Sequence, residues 1–517
     1  MWGCFRPDIV DNPLARTEVD PAPGLDVEDA LHVIDGEAVA SLSGRTFETI
    51  NPATGKRLAK AAFGEPEDVE RAVDAASAAY DDGRWRNLPP AERARRLRRI
   101  ANGIRDNAAR LAQLETADTG KPLSASMGDV EAAADLLDYA STICQNVSGK
   151  VHADECGFFT HSRREPYGVV GAIAPWNFPF LNAVWKTAAP LAVGNSIVLK
   201  MAEQTPLTTS VYAQLCIDAG IPAGVLNVVQ GDGPTTGAAL VRNPRVPKIT
   251  FTGSTEVGAE ILRATASQIK SCHLELGGKT ANIVFEDADL ERALTGSLFT
   301  SFFNSGQICT AGSRLLVQES IASEFVDALC GRARTLRVGD PLAEGTDLGP
   351  LISAEQLERV DGYVRSGNEA GADLVLGGGR PSEAPTGGYF YEPSVLTNVA
   401  PKMSIAREEI FGPVLAVIEF STEAEAIMLA NGVLYGLAAT VWTNRLDRAL
   451  RMIEALEAGI VWTNCTHHLV WNAPYEGHKI SGLGEDMGLE AAETFTKLKV
   501  SYINYAAPGI SWGENGA

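Results

Sequence analysis

Apolar positions along the chain follow two periods. Before residue 150 they recur at helical spacing: Leu97, Ile100, Ile104, Ala108, Leu111 and Leu114 step by 3, 4, 4, 3 and 3, and with Pro89-Pro90 as a start they predict one amphipathic helix. From Ser196 onward, short β-branched runs alternate with helical stretches. Ser196–Lys200, Val225–Gln230, Lys248–Phe251 and Ile269–Leu276 read as strands, with Leu207–Ala219 and Glu256–Ala266 as the crossovers between them. Apolar strands joined by helices imply a buried parallel sheet, so this region predicts a doubly wound α/β domain of Rossmann type whose ligands bind beyond the carboxyl ends of the strands. A second α/β segment runs from about Asp287 to Ser481, with strands at Arg314–Gln318, Val414–Phe420 and Ala438–Trp442. Two strand-like runs, Phe158–Arg163 and Lys497–Tyr505, stand outside both segments, and free strands of this kind pair with each other or with a partner chain. Residues 1 to about 45 show no clear period and read as an N-terminal arm.

Composition narrows the function classes. A chain of 517 residues with 45% apolar residues forms more than one domain with a substantial core. The 44 basic and 65 acidic residues give a net charge of −21, a field that repels phosphate backbones and anionic lipid, so neither nucleic acid nor a membrane is an expected partner. Eight Cys (4, 144, 156, 216, 272, 309, 330 and 465) are scattered without a CxxC pair or zinc spacing, which implies reduced thiols, no metal site and a cytoplasmic location. Two long uncharged stretches, Pro166–Trp185 and Ala293–Ser313, carry Pro, Asn, Gln and hydroxyl residues that hydrocarbon would leave unsatisfied, so they read as buried interior close to polar work. The N-terminus has Asp8 and Asp11 and no apolar core, and neither a signal nor a transit peptide is expected there.

Six segments hold residues suited to chemistry. GDGPTTG, with Gly231, Gly233 and Gly237, follows a strand and precedes a helix; it suits a phosphate site or a plain turn equally well. GSTEVG places Ser254 where it either holds a pyrophosphate oxygen or caps a helix. Lys200 and Glu203 end a strand at the position from which open α/β sheets reach a nucleotide ribose, and a carboxylate there repels a 2′-phosphate and favours NAD over NADP; the plain alternative is a solvated surface pair. Cys309 lies in a buried stretch, where most cysteines only pack, and Glu275 closes a strand-like run before two glycines. A thiolate with a carboxylate able to activate water is a workable pair for making and hydrolysing a thioester. Asn177, held in PWNFP between two prolines, suits an oxyanion donor or a core hydrogen bond.

Taken together, PWNFP, the Lys200/Glu203 pair, FTGSTEVG, LELGGK, the Cys309 segment 34 residues beyond Glu275 (309 − 275) and EEIFGPV make the chain resemble the NAD(P)-dependent aldehyde dehydrogenase superfamily, from about Asn51 to about Tyr505. The resemblance implies a cofactor domain over 46–147 and 167–277, a catalytic domain over 278–481, and an oligomerisation arm of strands over 148–166 and 497–508. It further implies Cys309 as nucleophile, Asn177 and the Cys309 N–H as oxyanion donors, and Glu275 as the base that hydrolyses the thioester. The resemblance also implies a proton route through Lys186 opposite Asp486, which stands where relatives commonly have Glu and has a shorter reach. Cofactor contacts carried over are Lys200 and Glu203 at the adenosine ribose, Trp176 and Ser254 near the pyrophosphate, and Glu409 with Phe411 at the nicotinamide ribose, together with Gly233, Gly237 and Phe251. Met201-Ala202 replaces the usual Pro-Ser after the lysine.

Matching the tunnel positions gives Phe178, Asn182, Trp185, Ile308, Thr310, His467, Leu469 and Tyr475, a mixture of aromatic and polar groups. These imply an aromatic or hydroxylated small-molecule aldehyde. Glu476, where many relatives carry glycine, raises the alternative of a cationic aminoaldehyde of betaine-aldehyde type, held by charge and cation–π attraction. Two rivals are a CoA-acylating semialdehyde dehydrogenase, which usually lacks a base at position 275, and a non-catalytic binding protein on the same scaffold. A homodimer or homotetramer is the expected assembly.

Overall fold

A computed structural model describes residues 25, 27–154, 157–506 and 509; residues 1–24 of the expected arm, with Cys4, and also Cys156 lie outside them. Two mixed sheets, one of eight strands and one of seven, carry the α/β architecture. Five parallel strands form the centre of the first, ordered Leu226–Val229, Ser196–Lys200, Val169–Ile173, Lys248–Thr252 and Ser271–Glu275. In chain order that is 3-2-1-4-5, so the order reverses between Val169–Ile173 and Lys248–Thr252, where a doubly wound sheet opens a ligand crevice.

Both faces of this sheet are covered. Ile197 and Leu199 enter one apolar cluster while Val198, between them, enters another, as alternation of side chains along a strand requires. Strands buried on both faces show an unbroken apolar run, which made Ser196–Lys200 legible to the residue; the helix that follows, Leu207–Asp218, is also close to its predicted bounds. Ile269–Leu276 is shorter than predicted, because Ile269 is exposed in a left-handed conformation (φ 52°) and pairing starts only at Ser271.

Part of the segment read as an arm belongs to the sheet. His32–Ile34 pairs antiparallel with Glu37–Val39 and, through Val33, with Val228. The long helix predicted through Leu97 and Leu114 is two helices, Pro90–Asp106 and Ala108–Thr119. They break at Asn107 (φ −111°), whose side-chain amide donates back to the Gly103 carbonyl. The apolar stripe survives the break because Leu97, Ile100, Ile104 and Leu111 all enter one core.

The second sheet runs Asp373–Leu376, Ser394–Thr397, Val414–Phe420, Arg314–Gln318, Ala281–Val284, Ala438–Trp442 and Ile460–Thr463, parallel except at its first pair. Phe158–Pro166 and Thr496–Asn504 pair antiparallel along their whole length, Thr496 opposite Pro166 and Asn504 opposite Phe158. No helix among the described residues is long and apolar enough to cross a membrane.

Candidate active site

One cavity of about 310 Å³ opens beyond the carboxyl ends of Lys248–Thr252 and Ser271–Glu275. Thr252, Gly253, Ser254 and Glu275 line it from the first sheet, and Cys309, Glu409, Phe411 and Trp462 from segments of the second. All eight expected pocket residues, Phe178, Asn182, Trp185, Ile308, Thr310, His467, Leu469 and Tyr475, line the same space, with Asn177 and Trp176.

Cys309 is placed by an unusual stretch of backbone. After helix Leu290–Phe302, Asn304, Ser305 and Gly306 take φ values of 50°, 54° and 69°, three consecutive left-handed residues. Gln307 secures the turn: its amide donates to the Asn304 carbonyl at 3.2 Å and its Oε1 accepts from Ile352 N at 3.0 Å. A side chain on Gly306 would meet the Gly412 carbonyl at 2.1 Å. The two glycines after Glu275 make room on the other side. A Cβ at Gly277 would strike the Glu409 carboxylate at 2.4 Å, and one at Gly278 the Cys309 carbonyl at 2.1 Å.

The Cys309 thiol lies 3.6 Å from the Tyr475 hydroxyl. Burial pushes the thiol up to about 11, against the pull of the Tyr475 hydrogen bond. Tyr475 in turn packs edge-on against Trp185 at 5.4 Å, and Trp185 against Trp471 at 6.1 Å.

Asn177 sits one residue before Phe178, the cap of helix Pro179–Ala192, which begins with proline in the position that suits it. Its Nδ2 donates to the Gln307 carbonyl at 3.0 Å, and its own carbonyl accepts from Asn304 at 3.2 Å. One of the two amide hydrogens is thereby used in fixing the group beside the Cys309 turn, and the second is left for a ligand.

Glu275 ends its strand almost fully buried, with neither carboxylate oxygen hydrogen-bonded. Burial and the nearby Asp486 push its pKa well above the usual carboxylate range, while Lys186 acts the other way. Lys186 does not line the cavity: it is buried behind it, 2.6 Å from Asp486, which does. The shorter Asp side chain therefore still reaches the lysine.

The expected cofactor residues divide into two sets. Trp176, Ser254, Glu409 and Phe411 line the cavity; Trp176 and Phe411 meet edge-on at 5.2 Å, and Glu409 accepts from Gly278 N at 2.9 Å. Burial lifts the Glu409 carboxyl to about 7. Ser254 caps helix Thr255–Thr265 through Val257 N at 3.3 Å, so the plain capping reading holds for its hydroxyl. Lys200, Glu203, Gly233, Gly237 and Phe251 do not line the cavity. Lys200 and Glu203 pair at 3.1 Å with only the carboxylate half-exposed, and the Phe251 ring packs beneath Gly253. Gly231, at φ +142° and with Thr236 in the way of any side chain, is the glycine this turn needs; Gly233 and Gly237 are under no such constraint.

Glu476 is not in the cavity wall either. Sequence reasoning missed Glu256, Gln356, Arg359 and Trp462, which line the cavity, and His273, which with Glu275 and Asp486 brings three ligand-type atoms within 4.8 Å of one another. The Lys186 ammonium at the same carboxylates opposes a cation there. His273 had a signal: two residues before Glu275 on one strand, it must share a face with it.

Comparison with known proteins follows the same lines. The model of the "Aldehyde dehydrogenase family" matches residues 39–501. The mitochondrial aldehyde dehydrogenase of Sus scrofa is 43% identical over 490 residues, covering 94% of each chain. Among solved structures, betaine aldehyde dehydrogenase from Staphylococcus aureus in complex with NAD+ superposes with a TM-score of 0.92 at 37% identity, covering 94% of this chain and 96% of that one. The NAD+ complex of an aldehyde dehydrogenase from Bacillus cereus gives 0.91 at 41%, covering 92% and 97%.

Proposed function

The chain belongs to the aldehyde dehydrogenase family, and from that premise we propose that it oxidises an aldehyde to the carboxylic acid with NAD through a thioester on Cys309. The observation that carries this reading is the meeting of Cys309, Asn177 and an unpartnered buried Glu275 in one cavity.

The residues at the cavity mouth fit a dinucleotide. The eleven-residue helix Thr255–Thr265 points its N-terminus at the cavity, where a pyrophosphate is favoured, and Glu409 offers a carboxylate to ribose hydroxyls. Lys200 and Glu203 stand at the carboxyl end of Ser196–Lys200, where an adenosine ribose is reached in such folds. When bound, NAD supplies the acceptor for the hydride that leaves the substrate carbon.

The protein's own part runs as follows. The Cys309 thiol gives its proton to a solvent water, since only the thiolate attacks. Sγ bonds to the aldehyde carbon, and the carbonyl electron pair moves to oxygen, which the free Asn177 N–H and the Cys309 backbone N–H stabilise. With NAD bound to take that hydride, the substrate carbon would remain on Sγ as a thioester whose carbonyl faces the same two donors. Glu275 then takes a proton from water as the water oxygen bonds to the thioester carbon; the C–S bond breaks, its electron pair stays on sulfur, and the acid leaves.

For the substrate, an aromatic or hydroxylated aldehyde is favoured by aromatic walls and by the buried imidazole of His467, which lines the cavity. Burial lowers this histidine to about 4, so it meets substrate uncharged, able to donate and accept. A second reading, a cationic aminoaldehyde, is favoured by the rings of Trp185, Trp471 and Tyr475 and by similarity to the staphylococcal betaine aldehyde dehydrogenase. Reduced-nicotinamide formation by wild type and Cys309→Ser, with NAD or NADP, with and without CoA, across aromatic, aliphatic and amino aldehydes tests the proposal. Turnover with NAD alone, abolished in the variant, is expected; turnover requiring CoA would contradict it.

A further inference from the structure

His273 is fully buried on Ser271–Glu275, and its Nε2 has no hydrogen-bond partner. That nitrogen lies 3.7 Å from Glu275 Oε1 and 3.7 Å from Asp486 Oδ1, midway between the base assigned above and the carboxylate that holds Lys186. The opposite nitrogen, Nδ1, is 2.9 Å from the hydroxyl of Thr250, the residue directly across the strand pair. The ring is wedged against Phe495 at 5.9 Å, and Gly484 leaves no room for a side chain beside it.

This surrounding dictates a tautomer. Burial, with Lys186 and Lys248 nearby, holds the imidazole neutral, so it carries one N–H. Two carboxyl groups face Nε2, and once either is ionised a bare lone pair there would repel it; Thr250 can donate its hydroxyl hydrogen to Nδ1. The proton therefore belongs on Nε2, aimed into the gap between Glu275 and Asp486.

We propose that His273 is a positioning residue for thioester hydrolysis: its Nε2–H reaches Glu275 or Asp486 by a small side-chain movement, holding Glu275 as an oriented carboxylate and joining it to the Lys186–Asp486 pair. The inference rests on Glu275 acting as the base. Neither oxygen of Glu275 has a hydrogen-bond partner, and the imidazole Nε2 stands 3.7 Å from Oε1. The charged groups that face this cluster are Glu275 on the same strand, Lys248 on the neighbouring strand, Lys186 on helix Pro179–Ala192 and Asp486 on Asp486–Met487; Glu476 adds its charge at Glu275, and Glu485 at Lys248.

An N–H donor favours the ionised form of a carboxyl group, so its loss raises the pH at which Glu275 becomes a base. His273→Met and His273→Gln have similar side-chain length, and only the second keeps an N–H donor. With NAD and a turned-over aldehyde, His273→Met is expected to move the acidic limb of the steady-state rate up by about one pH unit. It should also expose a burst of one reduced nicotinamide per site, because acylation is spared and hydrolysis slowed. His273→Gln should restore the limb and remove most of the burst. Equal losses in both variants, or an unmoved limb without a burst, overturn the proposal. If His273→Met does not fold, neutron diffraction from wild-type crystals decides: a proton on Nε2 supports the inference and one on Nδ1 refutes it. Failure of the underlying reading is separate, since Glu275→Gln would then hydrolyse as fast as wild type.

Discussion

The Tyr475 hydroxyl stands 3.6 Å from the Cys309 thiol, within hydrogen-bonding reach of the sulfur. With the thiol pushed up to about 11, the thiolate fraction of the cofactor-free protein should grow about tenfold per pH unit through the neutral and mildly alkaline range. Iodoacetamide alkylation of Cys309, followed by mass spectrometry, should rise accordingly from pH 7 to about pH 9 without a plateau. Tyr475→Phe removes the contact that favours the thiolate and should slow alkylation by about 2- to 10-fold at fixed pH. A plateau below pH 8 would show that burial does not set the reactivity of this cysteine.

Lys186 and Asp486 form a pair that is almost wholly buried at 2.6 Å. Removing one partner strands the other charge in a dry setting, at a cost of about 3–5 kcal/mol. Lys186→Met should therefore lower the denaturation midpoint markedly, and the double variant Lys186→Met/Asp486→Leu should recover much of the loss. Equal stability of the single variant and wild type would mean that water reaches this pair.

Glu203 accepts from Lys200 at 3.1 Å, with its carboxylate half-exposed beyond the sheet. If it turns away a 2′-phosphate, Glu203→Ser should raise kcat/KM with NADP relative to NAD by roughly tenfold or more, a change of about 1.4 kcal/mol in preference. An unchanged ratio would remove this residue from cofactor choice.

Gly306 is held at φ +69°, with the Gly412 carbonyl where a side chain would go. Gly306→Ala combines left-handed strain with a backbone collision and should cost at least about 1–3 kcal/mol. Because the turn carries Cys309, activity should fall further than the loss of folded protein explains. Activity per folded molecule equal to wild type would show that the turn can move without displacing the nucleophile.

The sequence pattern showed the strands best where both faces are buried, as at Ser196–Lys200, Arg314–Gln318 and Val414–Phe420, because their apolar runs are short and cleanly bounded. It misjudged Asn107, where the apolar stripe continues through a break that only a side-chain hydrogen bond reveals, and it passed over His32–Ile34, too short to show a period. At the site, Cys309, Glu275 and Asn177 were legible through their motifs. Gln356 and Arg359 were not, because long-range packing alone carries them to the cavity. Adjacency in sequence does not settle such a position: Glu476, next to Tyr475, is outside the wall that Tyr475 lines.

Phe158–Pro166 and Thr496–Asn504 form a ribbon whose Leu498, Tyr502 and Ile503 are about half-exposed or more. Apolar side chains presented this way favour a second copy of the chain. Light scattering at micromolar concentration should give a dimer or tetramer mass, and Leu498→Glu/Tyr502→Glu should lower it. A monomeric wild type would contradict an assembly role for the ribbon.

The most direct test is a single turnover of Glu275→Gln with NAD and an aldehyde that wild type oxidises. Reduced nicotinamide should form once per active site and then nearly stop, with hydrolysis slowed by about 10²–10⁴-fold. Mass spectrometry of the quenched protein should find the acyl group on the peptide carrying Cys309. Continued turnover at the wild-type rate, or an acyl group on any residue other than Cys309, would contradict the account.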